Sequence, residues 1–316
     1  VFFEETYFIE EAYYNSNVLS GIHVNTLLPK FNSCCAAYQA TGDEFYLKAT
    51  ENEWQLIVDS MTMANGGLSS IGEHFEEPGH ASQARFGEET CCSYNMLRVT
   101  DYLYRFTGNA KYMHYFEKVW YNHILPSIDM VGSKEATGDW PDSDPHRTYG
   151  SDQIAGKAYV MSTDFGHHIT YSSPDDSFWC CVATGTESYT KLTYGNFYLD
   201  KDNIMYVNMY NNIKTKVPGK DTTLTIHGLN AGTDEKGTES VAITTTGTTD
   251  LKKFRFIRPS WTATDPIIKI EPIMPNIDKY SLNTKQPIKT DKTGSIYPKI
   301  ATLTTDKVSI ELKYKI

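Results

Sequence analysis

Six cysteines stand in three adjacent pairs, Cys34-Cys35, Cys91-Cys92 and Cys180-Cys181. Neighbouring cysteines rarely bridge each other, because the short ring strains both the disulfide torsion and the backbone. Four chemistries remain for such pairs: buried packing, bridges to other cysteines, metal ligation, or a nucleophile. Cys34-Cys35 lies in "LLPKFNSCCAAY", an apolar helical pattern in which a free cysteine packs as a small hydrophobe. The other pairs have more reactive surroundings. Cys91 follows Glu88-Glu89-Thr90 in "GEETCCSYNMLR", and Cys180-Cys181 ends "DSFWCC". Glu89 stands just before a helical pattern, where a carboxylate ordinarily caps the helix or sits against its dipole. The same helix start would lower the pKa of the Cys91 thiol. Glu89, Cys91, Cys180 and Cys181 together offer three thiolates and one carboxylate. That set suits tetrahedral zinc better than Mg2+ or Ca2+, which prefer oxygen. No CxxC spacing points to a zinc finger. Glu73, in "GGLSSIGEHFEEPGH", is an isolated carboxylate after a glycine pair; alone, it reads as a solvated loop residue.

These groups lie far apart in the chain, so folded elements must bring them together. Up to about residue 195 the sequence reads as helices joined by Gly-marked turns. An internal repeat supports this: "YQATGDEFYLKATENEW" (Tyr38 to Trp54) aligns with "YRFTGNAKYMHYFEKVW" (Tyr104 to Trp120). In each copy the Thr-Gly predicts a helix end with Gly in the left-handed position, and Asp43 or Asn109 then caps the next helix. Repeated helical hairpins imply a toroid or solenoid. From about Asn196 the period changes to short alternating runs such as "TTLTIHGL" and "KVSIELKYKI", which predict an all-β module of the sandwich type. The expected division is therefore a helical domain over 1–195 and a β-sandwich over 196–316. A Gly/Asp/Pro-rich stretch, 131–152, reads as a long loop or an insertion.

Composition narrows the function classes. With 316 residues, 40% hydrophobic and 22% charged, the chain can bury a full core. A net charge of -10 argues against a nucleic-acid surface, which needs a basic stripe. No apolar run is long enough for a membrane span. The chain begins "VFFEETYFIE", which has no Met and no signal-peptide pattern and looks internal to a longer protein.

At the cysteine segments a resemblance emerges. G-G-x-x-x-x-G-E-H-F, E-T-C-x-x-Y-N-M-L-R, Y-N-H-I-L and S-x-x-D-S-F-W-C-C-x-x-T-G-x-E, in that order, resemble the DUF1680-type β-L-arabinofuranosidases, glycoside hydrolase families 127 and 146. "HVNTLLPKF" and "FRFIRPSW" resemble further segments of that family, so the likeness runs from about His23 to Trp261. The resemblance implies an (α/α)6 helical toroid followed by β-sandwich modules. It implies a retaining exo-glycosidase that hydrolyses terminal β-L-arabinofuranosides of plant-type glycans or glycoproteins, with a zinc-bound cysteine nucleophile. Carried over by position, Glu73 is the general acid/base. Glu89, Cys91 and Cys181 are zinc ligands, and Cys180 is both ligand and nucleophile. His23, Glu117 and Tyr159 fall at polar substrate contacts. A site outside the cytoplasm, extracellular or periplasmic, follows from the substrate class.

Two features depart from that pattern. Such a toroid needs twelve helices, and this sequence holds about six or seven, so the N-terminal helices would come from the remainder of a longer chain. A partial toroid exposes apolar surface, and this segment alone is not expected to be a good enzyme. Cys92 is an extra thiol beside the expected ligand, and would either pack or shift the ligand assignment by one. Two alternatives stay open at this point: a carbohydrate-binding relative without turnover, and a protein whose cysteines hold a structural zinc or a redox centre.

Overall fold

The computed structural model of the chain describes residues 6–68, 73–81, 88–127, 163–164, 167–168, 180–228, 238–247, 253–262, 267–272, 282–283, 295–296 and 307–315. The chain divides into two compact units. One comprises Val1–Gly108 with Tyr115–Leu192, the other Asn109–His114 with Thr193–Ile316.

The first unit is helical. Its elements are α1 (Thr6–Tyr13), α2 (Val24–Thr41), α3 (Glu44–Ser60), α4 (Thr90–Thr107), the later part of α5 (Ala110–Val119) and most of α6 (Cys180–Asn196). α2 packs against α3 and α4, and α1 against α3. The faces that meet are apolar: Leu27, Leu28 and Phe31 of α2, Trp54 and Ile57 of α3, and Met96, Leu97 and Leu103 of α4 are all buried. Each such side chain stabilises the fold by about 1.5–3 kcal/mol relative to exposure. Cys34 and Cys35 lie in this core, and none of the six cysteines is in a disulfide.

The repeat is visible in the backbone. α2 ends at Gly42 (φ 72°) and α4 at Gly108 (φ 63°), each in the left-handed conformation. Their N–H groups donate to the carbonyls of Tyr38 and Tyr104 at 2.8 and 2.7 Å. Asp43 then accepts from the Phe45 N–H, and Asn109 from the Lys111 N–H. Trp54 and Trp120 are both buried. The copies diverge at their ends: α3 continues as α-helix to Ser60, whereas α5 gives way to a π-helical turn at Trp120–Ile124 and a 3-10 turn at Leu125–Ser127.

A short antiparallel pair, β1 (Thr163–Asp164) and β2 (His167–His168), precedes α6. After α6 the described elements are strands: β3 (Phe197–Leu199), β4 (Ile204–Val207), β5 (Ile213–Lys216), β6 (Thr222–His227), β7 (Thr238–Gly247), β8 (Lys253–Ile257), β9 (Ile267–Pro272), β10 (Leu282–Asn283), β11 (Ser295–Ile296) and β12 (Lys307–Lys315). They form a six-stranded sheet of order β10-β9-β12-β7-β6-β5 and a four-stranded sheet of order β11-β8-β4-β3. Among the described strands all pairings are antiparallel except β4 with β8. On β6, Thr222, Leu224 and Ile226 point inward, the alternation expected of a sheet with one buried face. Leu224, Ile226, Val241, Ile243 and Leu312 of one sheet share a core with Met205, Val207, Phe254 and Phe256 of the other. The stretch 131–152, read from sequence as a loop or insertion, lies outside the described residues.

Candidate metal and catalytic site

Two helix starts meet at the cysteines. Cys91 lies in the first turn of α4, and Cys180 and Cys181 open α6. A helix N-terminus presents unpaired N–H groups and partial positive charge, which favour a thiolate over a thiol. Two threonines tie the starts together. Thr90 Oγ1 donates to the Cys181 carbonyl at 2.7 Å, and Thr184 Oγ1 lies 2.9 Å from the Cys180 carbonyl and 3.3 Å from Cys91 Sγ. This clamp holds Cys91 Sγ 3.5 Å from Cys181 Sγ, which is itself 4.0 Å from Cys180 Sγ.

Glu89 occupies the N-cap position of α4, yet its side chain makes no capping hydrogen bond. It turns instead to Cys181, whose Sγ lies 3.2 Å from Oε2. The capping role expected from sequence is therefore replaced by a place in the cluster.

Glu73 comes from a separate loop. Its φ of 63° lies in the left-handed region, uncommon for a residue with a Cβ and frequent where function holds the backbone. Its Oε1 is 3.9 Å from Cys180 Sγ, and its Oε2 is 3.1 Å from His23 Nε2. His23 sits at the start of α2, and a backbone bridge joins it to His74.

Donor atoms of Glu73, Glu89, Cys91, Cys180 and Cys181 all lie within 4.8 Å of one another. Ligands about 2.3 Å from one ion stand about 3.8 Å apart at tetrahedral corners. The observed S···S spacings of 3.5 and 4.0 Å match that geometry. The donor set fits a borderline-soft ion. Glu73, read from sequence as separate from the ligand set, is gathered with it as a fifth donor.

The three thiols differ. Cys91 and Cys181 are fully buried, whereas Cys180 is exposed. Hydrogen bonding from the Cys181 thiol, helped by Cys91 and opposed by burial, lowers the Cys180 thiol to about 5. The same bond with Cys180, then Cys91 and burial, raises Cys181. Burial, followed by the charge and hydrogen bond of Cys180, raises the Glu73 carboxyl above the ordinary carboxylate range.

The sequence profile described as "Beta-L-arabinofuranosidase, GH127 catalytic domain" matches residues 1–194. The chain belongs to the GH127 family. Solved structures agree on the fold. A GH127 β-arabinofuranosidase aligns with a TM-score of 0.64 at 16% identity, over 93% of this chain and 43% of its own. A GH127 β-L-arabinofuranosidase from Geobacillus stearothermophilus T6 aligns with a TM-score of 0.60 at 15% identity, over 92% and 42%. A protein titled "Glycoside hydrolase" gives 0.65 at 15%, over 92% and 46%. This GH127 chain thus spans less than half the length of those structures. A search of curated proteins found no significant match.

The GH127 match spans every donor of the cluster. Of the three substrate contacts implied by resemblance, only His23 is placed at the cluster. Glu117 is half-buried on α5 and is not one of the gathered donors, and Tyr159 lies outside the described residues. Cys92 is fully buried and is not among those donors. Sequence reasoning passed over Thr184. Its signal was its place one helical turn after Cys180, which puts its hydroxyl over the thiols.

Proposed function

We propose that this GH127 chain is part of a retaining glycosidase that releases terminal β-L-arabinofuranose, with Cys180 as nucleophile and Glu73 as general acid/base. The observation that carries this reading is the exposed Cys180 Sγ 3.9 Å from the Glu73 carboxyl. Retaining glycosidases set nucleophile and acid/base about 5 Å apart on either side of the scissile bond. In the first step Sγ attacks the anomeric carbon, the bond to the aglycone oxygen breaks, and Glu73 gives that oxygen its proton. In the second, Glu73 as carboxylate takes a proton from water, the water oxygen attacks the anomeric carbon, and Cys180 leaves as thiolate. Glu73 must begin protonated, and both its half-buried setting and the neighbouring thiolate favour that. His23 Nε2 holds the other carboxyl oxygen and fixes its direction.

Zinc is the metal we assign to Glu89, Cys91, Cys180 and Cys181; when bound it would keep the thiols deprotonated. Four anionic ligands and a +2 ion leave a formal charge of -2, a field that favours the oxocarbenium-like transition state. We read the helices as part of an (α/α)6 toroid and the two sheets as a β-sandwich, with the boundary at 195/196. The substrates are plant-type arabinose-containing glycans or glycoproteins, met outside the cytoplasm.

The test is release of the aryl group from an aryl β-L-arabinofuranoside by the full-length protein that contains this chain, and by its Glu73→Gln and Cys180→Ser variants. Turnover in the wild type, lost in both variants, supports the reading and excludes a sugar-binding relative without turnover. Wild-type rates in both variants sink the role assignments.

A further inference from the structure

We propose that His123 is a positioning residue: its ring holds the backbone carbonyl of Glu88 and thereby sets the aim of Glu89 and Cys91 at the start of α4. This inference rests on the metal-site reading above and concerns residues outside the donor set.

His123 lies in the π-helical turn Trp120–Ile124 and is buried. Such turns are rare, re-aim side chains, and recur at functional sites. In the first copy of the repeat the matching position is Ile57, on an uninterrupted α-helix. An apolar residue therefore satisfies packing there. A buried imidazole needs partners for both nitrogens, or it is destabilising by about 1–3 kcal/mol. His123 has them. Nδ1 pairs with Ser93 Oγ at 2.8 Å, and the ring also bonds the backbone of Glu88, which leaves Nε2–H as the donor to that carbonyl. Burial lowers the imidazole pKa and keeps the ring neutral, as this pairing requires.

Glu88 needs holding. Its φ of 66° is left-handed, which costs a residue with a Cβ about 1 kcal/mol or more. It immediately precedes Glu89 and stands three residues before Cys91, so its backbone angle sets where α4 begins. Its buried side chain is anchored from the other side, where Asn65 Nδ2 donates to Oε2 at 2.9 Å. Asn65 Oδ1 in turn accepts from the Gly67 N–H at 2.9 Å. The glycine pair closes the arrangement. A Cβ on Gly67 would fall 3.1 Å from the Cβ, Cγ and Cδ of Glu88, and one on Gly66 would fall 2.8 Å from Val119 Cγ2, just before the π turn. Gly67 and His123 thus converge on Glu88, the residue before the donor Glu89.

The test uses two variants of similar size in the full chain, loaded with Co2+. The amide nitrogen of Gln overlays Nε2 and can still donate to the Glu88 carbonyl, whereas Asn reaches only the Nδ1 position beside Ser93. Thiolate-to-cobalt charge-transfer absorption and competition with a chelator report the donors directly. His123→Asn is expected to weaken Co2+ binding about tenfold or more and to change that band, as loss of an outer-shell partner does. His123→Gln is expected to stay within about threefold of wild type, by the same reasoning. Equal behaviour of the two variants overturns the proposal, since a purely packing role does not distinguish them. If His123→Asn fails to fold, Asn65→Ala releases Glu88 from a half-buried position, and an unchanged Co2+ affinity there overturns the proposal as well. A wild-type chain with no thiolate-to-cobalt band overturns the metal reading itself, and this inference with it.

Discussion

Cys180 and Cys181 are the same residue type one bond apart, and their surroundings give them opposite properties. Cys180 is exposed and held low by thiols that donate to it, while Cys181 is fully buried and holds its proton. In metal-free protein at pH 7, iodoacetamide should therefore modify Cys180 first. Cys35, buried and raised to about 12, should stay unmodified until the chain unfolds. Peptide mapping after a short exposure checks the order, and prior labelling of Cys35 contradicts it. In the acid/base role proposed for it, Glu73→Gln should lower kcat by about 10²–10⁴ in steady-state assays. A second buried carboxyl has a different consequence. Glu53 on α3 is almost wholly buried, and burial raises it to about 8; its Oε2 has no hydrogen-bond partner among the described residues. The folded chain therefore keeps a proton that the unfolded chain releases above about pH 4.5. Stability from this group is complete below that pH and is lost as pH rises towards 8, by at most about 1.4 kcal/mol per pH unit. Urea midpoints at pH 5 and pH 8 should converge in Glu53→Gln, and wild-type and variant curves that stay parallel refute the effect.

Elements separate what local sequence specifies from what distant contacts impose. The Thr-Gly helix ends were legible because Gly at a left-handed C-terminal position is a local backbone requirement. Gly42 has open space where a Cβ would point, so Gly42→Ala should cost only the backbone penalty, about 1 kcal/mol. Gly66→Ala adds a clash with Val119 and should cost about 2–4 kcal/mol, a difference that thermal or urea unfolding resolves. The strands were legible too, because alternation such as Thr222-Leu224-Ile226 is a property of each run. Their order was not. β12, the last strand, lies between β9 and β7, a placement that long-range pairing decides. Glu73 and Glu88 were likewise hidden as backbone features. Neither is Gly or Asn, and their left-handed angles are held by partners about 50 and 23–35 residues away in the chain, His23, Asn65 and His123. The donor set was partly legible: residue types suggested a soft ion, but only folding turned Glu89 away from its cap and brought Glu73 beside Cys180.

At the scale of the whole molecule, every donor belongs to the helical unit and none to the strands β3–β12. The donors span residues 73 to 181, so one ion would close a loop of roughly a hundred residues and join a loop to the starts of α4 and α6. An ion that binds the folded state and not the unfolded one stabilises what it links, by mass action. Its removal should act locally. In a comparison of metal-loaded and chelator-treated chains, amide exchange should accelerate about tenfold or more at residues 88–93 and 180–184, since opening there no longer breaks ligand bonds. Amides of β6, β7 and β12 sit in a sheet whose core is built from Leu224, Ile243 and Leu312, with no donor among them, and their exchange should not change. Equal acceleration in both regions would mean that the two units open together, and that the ion supports the chain as one cooperative structure.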